Sequence, residues 1–165
     1  MLRGFLSFNL VNSLFKFEYS HESIHSRNKK KLLGKSLRIS YADFKAVELW
    51  SGFMPRRIEI STNLSNELIS VALYEQNHFE AFSPSKEFVR WATVEVSDFS
   101  DVPHGMETLI LPAGKYAVFD YKGTPDGMAP FFQFILMEWL PNSIYELDHQ
   151  QKSLLQRQLK HKKQL

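Results

Sequence analysis

The sequence predicts an α+β fold: two similar modules sharing a sheet, the second one incomplete. Three observations carry that expectation. Short stretches of two-residue alternation recur along the chain, two apolar stretches have helical spacing or length, and the order is strand–helix–strand–strand followed by strands, a helix and at most one further strand. The 165 residues are 44% hydrophobic and 23% charged, with 14 Phe, 6 Tyr and 3 Trp, ample for a real core. Cysteine is absent, which excludes a disulfide scaffold, thiolate metal sites and cysteine nucleophiles.

Each element follows from its residues. Leu37–Ser40 alternates as a short strand, and Ser40 ahead of Asp43 has the side-chain oxygen that starts a helix. Ala46, Val47, Trp50, Phe53 and Met54 then form an apolar helical stripe that Pro55 ends. Leu68–Glu75 is a strand with Ile69, Val71 and Leu73 on one face and Ser70, Ala72 and Tyr74 on the other. In Arg90–Val96, Ala92, Val94 and Val96 match the core side of that first strand. Trp91, Thr93 and Glu95 take the opposite side, which gives an indole and a carboxylate one face. Thr108–Leu111 and Lys115–Tyr121 are expected to pair across Pro112-Ala113-Gly114. Pro130 opens a helix through Phe131–Leu140 that is apolar nearly all round, hence buried, and Pro141-Asn142 stops it. Ile144–Leu147 has the composition of a further strand, and none is visible after it.

The net charge of +2 hides a division. Residues 1–38 carry eight Lys and Arg against two Glu, residues 149–165 carry five and no acid, and 39–148 hold 16 of the 18 acids with a net −9. An acidic body favours cationic ligands and repels phosphate backbones, while basic ends suit anionic surfaces. Residues 1–30 read as an irregular N-terminal extension without a signal-peptide cleavage site. Residues 149–165 read as an unpacked basic tail, and no apolar run reaches the about 20 residues of a spanning helix.

Two motif-like stretches carry no chemistry in this context. His21-Glu22-Ser23-Ile24-His25 has the H-E-x-x-H pattern of zinc proteases, which needs a buried helix, yet it is flanked by serines and by Arg27-Asn28-Lys29-Lys30-Lys31. Lys122–Gly127 is a loop without the phosphate-cradling glycine-lysine spacing. Neither a metal nor a cofactor is expected.

Several segments in order are familiar together: Lys31–Ser40 (KLLGKSLRIS), Glu48–Arg57 (ELWSGFMPRR), Leu68–Glu75, Phe88–Phe99 (FVRWATVEVSDF), Leu111–Gly123 (LPAGKYAVFDYKG) and Glu138–Asp148 (EWLPNSIYELD). Over about 31–148 the chain resembles the GyrI-like small-molecule-binding family, akin to the effector-binding domains of AraC-type multidrug regulators. The resemblance implies two strand–helix–strand–strand modules in pseudo-twofold arrangement, with a groove for bulky, often cationic aromatic molecules. It also implies a bacterial, cytoplasmic protein, monomeric or homodimeric, with a link to transcription regulation. Residues 1–30 are too short and irregular for a DNA-binding domain, so a stand-alone binding module without membrane contact is expected. Other members are cofactor-free hydrolases of cyclopropane-bearing cytotoxic compounds, which is the alternative function.

The chain departs from the family after Asp148, where members continue into an acid-rich last strand. The abrupt loss of acids and aromatics is the pattern that a shifted frame or a truncation leaves. A missing strand would expose sheet edge and apolar surface and make the fold marginal. The expected ligand-binding residues are Trp50, Tyr74, Trp91, Tyr116 and Trp139 as aromatics and Glu95 as the anion, with no catalytic residue assigned. Trp50 and Trp139 fit a core equally well, the inward face of the Tyr116 strand stays open, and Glu48 and Glu138 fit solvated helix carboxylates.

Overall fold

The computed structural model describes residues 17–75, 78, 83–123, 131, 134–144 and 152–158. Among the described residues, seven strands and little helix make an α+β fold: β1 (Phe17–Arg27), β2 (Lys30–Ile39), α1 (Ala46–Phe53), a 3₁₀ helix (Met54–Glu59), β3 (Leu68–Tyr74), β4 (Phe88–Glu95), β5 (Glu107–Leu111), β6 (Gly114–Gly123), a π-turn (Ile135–Trp139) running into α2 (Leu140–Asn142), and β7 (Lys152–Gln158). Two antiparallel sheets result, β1-β6 and β5-β2-β4-β3-β7. The chain divides into two compact units, one of Met1–His25 with Lys115–Glu146 and one of Ser26–Gly114 with Leu147–Leu165. Among the described residues no helix is long and apolar enough to cross a membrane.

In the second unit the five-stranded sheet has a core on each face. Register fixes the faces, because residues directly opposite in an antiparallel pair point the same way. Leu33 opposes Val94, and Ala72 opposes Arg90. On that side Leu33, Ala92, Val94 and Leu68 pack with Leu49 and Phe53 of α1 and with Ile60, Val96 and Met106. On the other side Leu32, Ile69, Val71, Trp91 and Leu111 cluster, flanked by Leu73, Val89 and Leu109. Buried hydroxyls between strands are satisfied: Ser70 Oγ donates to the Trp91 carbonyl at 3.2 Å, and Thr93 Oγ1 to the Ile69 carbonyl at 2.8 Å.

Several sequence expectations change. Ser40 Oγ accepts from the Asp43 amide at 3.0 Å, but α1 begins only at Ala46, so that bond closes a turn ahead of the helix. The buried row of α1 is Leu49 and Phe53, at i and i+4; Val47, assigned to the core stripe, is 80% exposed, and Met54 is exposed too. Pro55 ends the α-helix without ending the helical path, since it starts a 3₁₀ helix where its missing N–H costs nothing. The expected β5–β6 hairpin does not form: β5 pairs with β2 and β6 with β1. Pro141 lies within the helical end, in the first turn of α2, and the chain leaves the helix at Ser143, whose amide donates to the Leu140 carbonyl at 3.1 Å.

Parts of both end segments are regular among the described residues. β1 occupies residues 17–27 of the stretch read as irregular. It also carries the H-E-x-x-H residues as extended backbone, where positions four apart lie ~13 Å from each other, so the helical spacing of a zinc site is absent. The last strand, expected to be missing, is present as β7, which pairs antiparallel with β3 from Leu68↔Gln158 to Tyr74↔Lys152. Backbone hydrogen bonds to an open sheet edge depend little on side-chain type, so a basic segment without acids or aromatics serves as well as an acidic one. Residues 124–127 and 145–147, read as loop and strand, lie outside the described residues.

Candidate functional site

The face of the five-stranded sheet away from α1 holds an indole and a carboxylate in one row, within a buried cluster whose Glu95 end is partly exposed. Trp91 and Glu95 share it on β4, with Thr93 between them, and their Cα atoms are ~13 Å apart along the strand. Val71 opposes Trp91, Ile69 opposes Thr93 and Leu32 opposes Glu95, so an aliphatic lane flanks the row. Trp91 is 7% exposed, and its indole N–H is buried without an acceptor among the described residues. An unmade bond of this kind costs about 1–3 kcal/mol until something accepts it.

Glu95 is not a bare anion. Its carboxylate accepts a hydrogen bond from the Lys30 ammonium, and the two side chains are only 25% and 28% exposed. Composition does not mark this partner: Lys30 stands in a run of lysines, and only the β2–β4 register brings it diagonally across from Glu95.

Residues 23–152 match the GyrI-like small molecule binding domain family. The chain belongs to that family. The transcriptional regulator BrlR of Pseudomonas aeruginosa is 39% identical over 88 residues, covering 53% of this chain and 30% of the regulator, so the chain matches less than a third of that relative's length. Among solved structures, an integron cassette protein from the mobile metagenome of Vibrio cholerae aligns with a TM-score of 0.58 at 12% identity, over 86% of this chain and 90% of the other. The C-terminal domain of EcmrR aligns with a TM-score of 0.55 at 17% identity, over 79% of each chain. These structural likenesses establish the fold alone.

Within this GyrI-like domain the six expected ligand residues are distributed as follows. Trp91 and Glu95 share a face. Tyr74 is on the opposite one, because Val71 opposes Trp91, and Tyr74 lies three residues further along β3 with the other parity. The expected side was wrong because Ala92 and Val94 were matched with Ile69 and Val71 by apolarity, whereas the register sets Ala92 opposite Ser70 and Arg90 opposite Ala72, and so puts Tyr74 on their face. Trp50 is half-buried on the α1 side and meets Phe53 edge-on at 6.0 Å. Tyr116 and Trp139 belong to the other unit, where Trp139 meets Phe119 edge-on at 4.8 Å and Phe119 meets Phe131 at 6.2 Å. Glu48 and Glu138 are exposed.

Tyr74 instead anchors an aromatic cluster. Its hydroxyl is 2.9 Å from that of Tyr41, and its ring lies 4.7 Å from His78 and 4.8 Å from Phe88. Burial pushes the Tyr74 phenol well above its ordinary value, so it stays protonated. Burial, with Lys86 nearby, holds the fully buried His78 imidazole below its ordinary value, against the pull of Glu75. A folded-state value below the unfolded one means that the unfolded chain binds the proton first. The stabilising contribution is therefore complete above about pH 6.5 and is lost as pH falls toward the lowered value. Thermal melts should accordingly show Tm dropping between pH 7.5 and 5.5, with a shallower drop in His78→Gln; equal slopes would contradict this account.

Proposed function

We propose that this domain binds a bulky organic molecule carrying a cationic group, on the sheet face that holds Trp91 and Glu95. The observation that carries the reading is the row itself: a partly exposed carboxylate at one end and, ~13 Å along the strand, a buried indole N–H without an acceptor among the described residues, which suits a ligand whose cation sits at Glu95. The acidic central segment favours the same ligand charge. BrlR is named a transcriptional regulator and EcmrR has been solved on DNA, which supports a sensor whose occupancy is passed to a DNA-binding partner.

Intrinsic tryptophan fluorescence, titrated with planar cationic dyes and their neutral isosteres and corrected for dye absorbance, tests the reading. Saturable quenching by the cations is expected, about tenfold weaker in Glu95→Gln as a charge-assisted bond is lost, and diminished in amplitude in Trp91→Phe. Equal cation affinity in Glu95→Gln would overturn it. No observation in this geometry favours the hydrolase alternative over binding.

A further inference from the structure

We infer that Lys30 sets which ligands this face accepts: molecules bearing a hydrogen-bond acceptor, such as a carboxylate, beside their cationic group are preferred over plain cations. The inference rests on the reading that Glu95 receives the ligand's cation. Lys30 and Leu32 alternate onto the Glu95 side of β2, and Leu32 lies directly opposite Glu95, so Lys30 reaches the carboxylate diagonally. The ammonium thus occupies the place a ligand cation would take. Both partners are about three-quarters buried, so displacing the ammonium is costly unless a new acceptor meets it. Breaking such a pair from one side leaves an uncompensated charge where water is scarce.

The same face holds a second donor in need. The Trp91 indole N–H is buried and has no acceptor among the described residues. With a ligand cation on Glu95, the face presents two donors, Lys30 and Trp91, and a plain cation satisfies neither. A zwitterion, or a cation with a carboxylate or carbonyl on the same scaffold, satisfies at least one and leaves the Lys30–Glu95–ligand ensemble electrically balanced. Lys30 acts here as a specificity-determining residue, working against bare cations as much as for acceptors.

A matched pair of xanthene dyes isolates this effect: the carboxylate zwitterion and its ethyl ester, which is a plain cation with the same ring system. Wild-type protein is expected to bind the zwitterion at least about fivefold more tightly. Lys30→Met should reverse that order by strengthening the ester and weakening the zwitterion, and Lys30→Arg should keep the wild-type ratio within about twofold. Tm of each variant confirms folding, and Lys30→Arg serves if the Met variant is unstable: a ratio shifted more than fivefold by this charge-conserving change would count against the inference. An unchanged dye ratio in folded Lys30→Met, while Glu95→Gln still weakens the ester, overturns the role of Lys30 alone. If Glu95→Gln leaves both dyes unaffected, or neither dye binds the wild type saturably, the underlying ligand reading falls and this inference with it.

Discussion

Gly34→Ala is expected to destabilise the five-stranded sheet by about 3 kcal/mol or more, out of the roughly 5–15 kcal/mol typical of a domain. Gly34 sits in β2 directly opposite Thr93 of β4, in the central pair of the sheet. A Cβ there would fall 2.0 Å from the Ala92 carbonyl oxygen and 2.8 Å from the Thr93 Cα. Both obstacles are backbone, so no rotamer change relieves them; the strands must separate, and β4 carries β3 and β7 with it. Gly52 is the opposite case, in α1 with only the flexible Lys35 Nζ near, at 3.8 Å. Gly52→Ala should stabilise by about 0.5–1 kcal/mol, because alanine is the better helix former. Urea unfolding of both variants decides the matter, and a Gly34→Ala midpoint equal to wild type would refute the close approach.

Phe53→Ala is expected to lose about 3–5 kcal/mol, the range for deleting a buried aromatic ring. Phe53 is wholly buried where α1 meets the sheet, among Leu33, Leu49, Ala92, Val94 and Met106, and its ring meets Trp50 edge-on. Those neighbours come from a helix, two strands and a loop, so the void cannot close by one side chain turning. Val47→Ala, on the outward side of the same helix, should stay within about 0.5 kcal/mol. Chemical denaturation separates the two, and comparable losses would mean that the helix is rotated from the orientation described.

That rotation is one place where the sequence was legible in kind and not in detail. Five apolar residues at helical spacing identified α1, but Leu49 extends the apolar arc and both edges look alike until the helix meets its sheet. The same holds for β4, which is buried on both faces. Where one face is wet, alternation tells inside from outside; where both are dry, it gives parity without direction. Trp91 and Glu95 share a face on parity alone, so their pairing needed no register. Tyr74 needed one, and the register depends on how the chain returns between β3 and β4. Lys30 was invisible for the same reason: its partner lies 65 positions away. β7 was missed because strand addition is written in the backbone of β3 rather than in the composition of the tail.

The order of strands has a consequence for how this chain acquires its structure. Each unit is assembled from two separate stretches of sequence, and β3, at residues 68–74, finds its outer neighbour only at residues 152–158. The contacts that complete the sheet are thus among the most distant in sequence, and loop-closure entropy makes such pairings slow. On the ribosome, β2, β3 and β4 are all made long before β7 emerges, and for that interval the edge of β3 is an open template. A nascent chain in this state is exposed to pairing with other chains, so its yield in cells should depend on chaperone supply and on translation speed through the last forty residues more than its equilibrium stability would suggest.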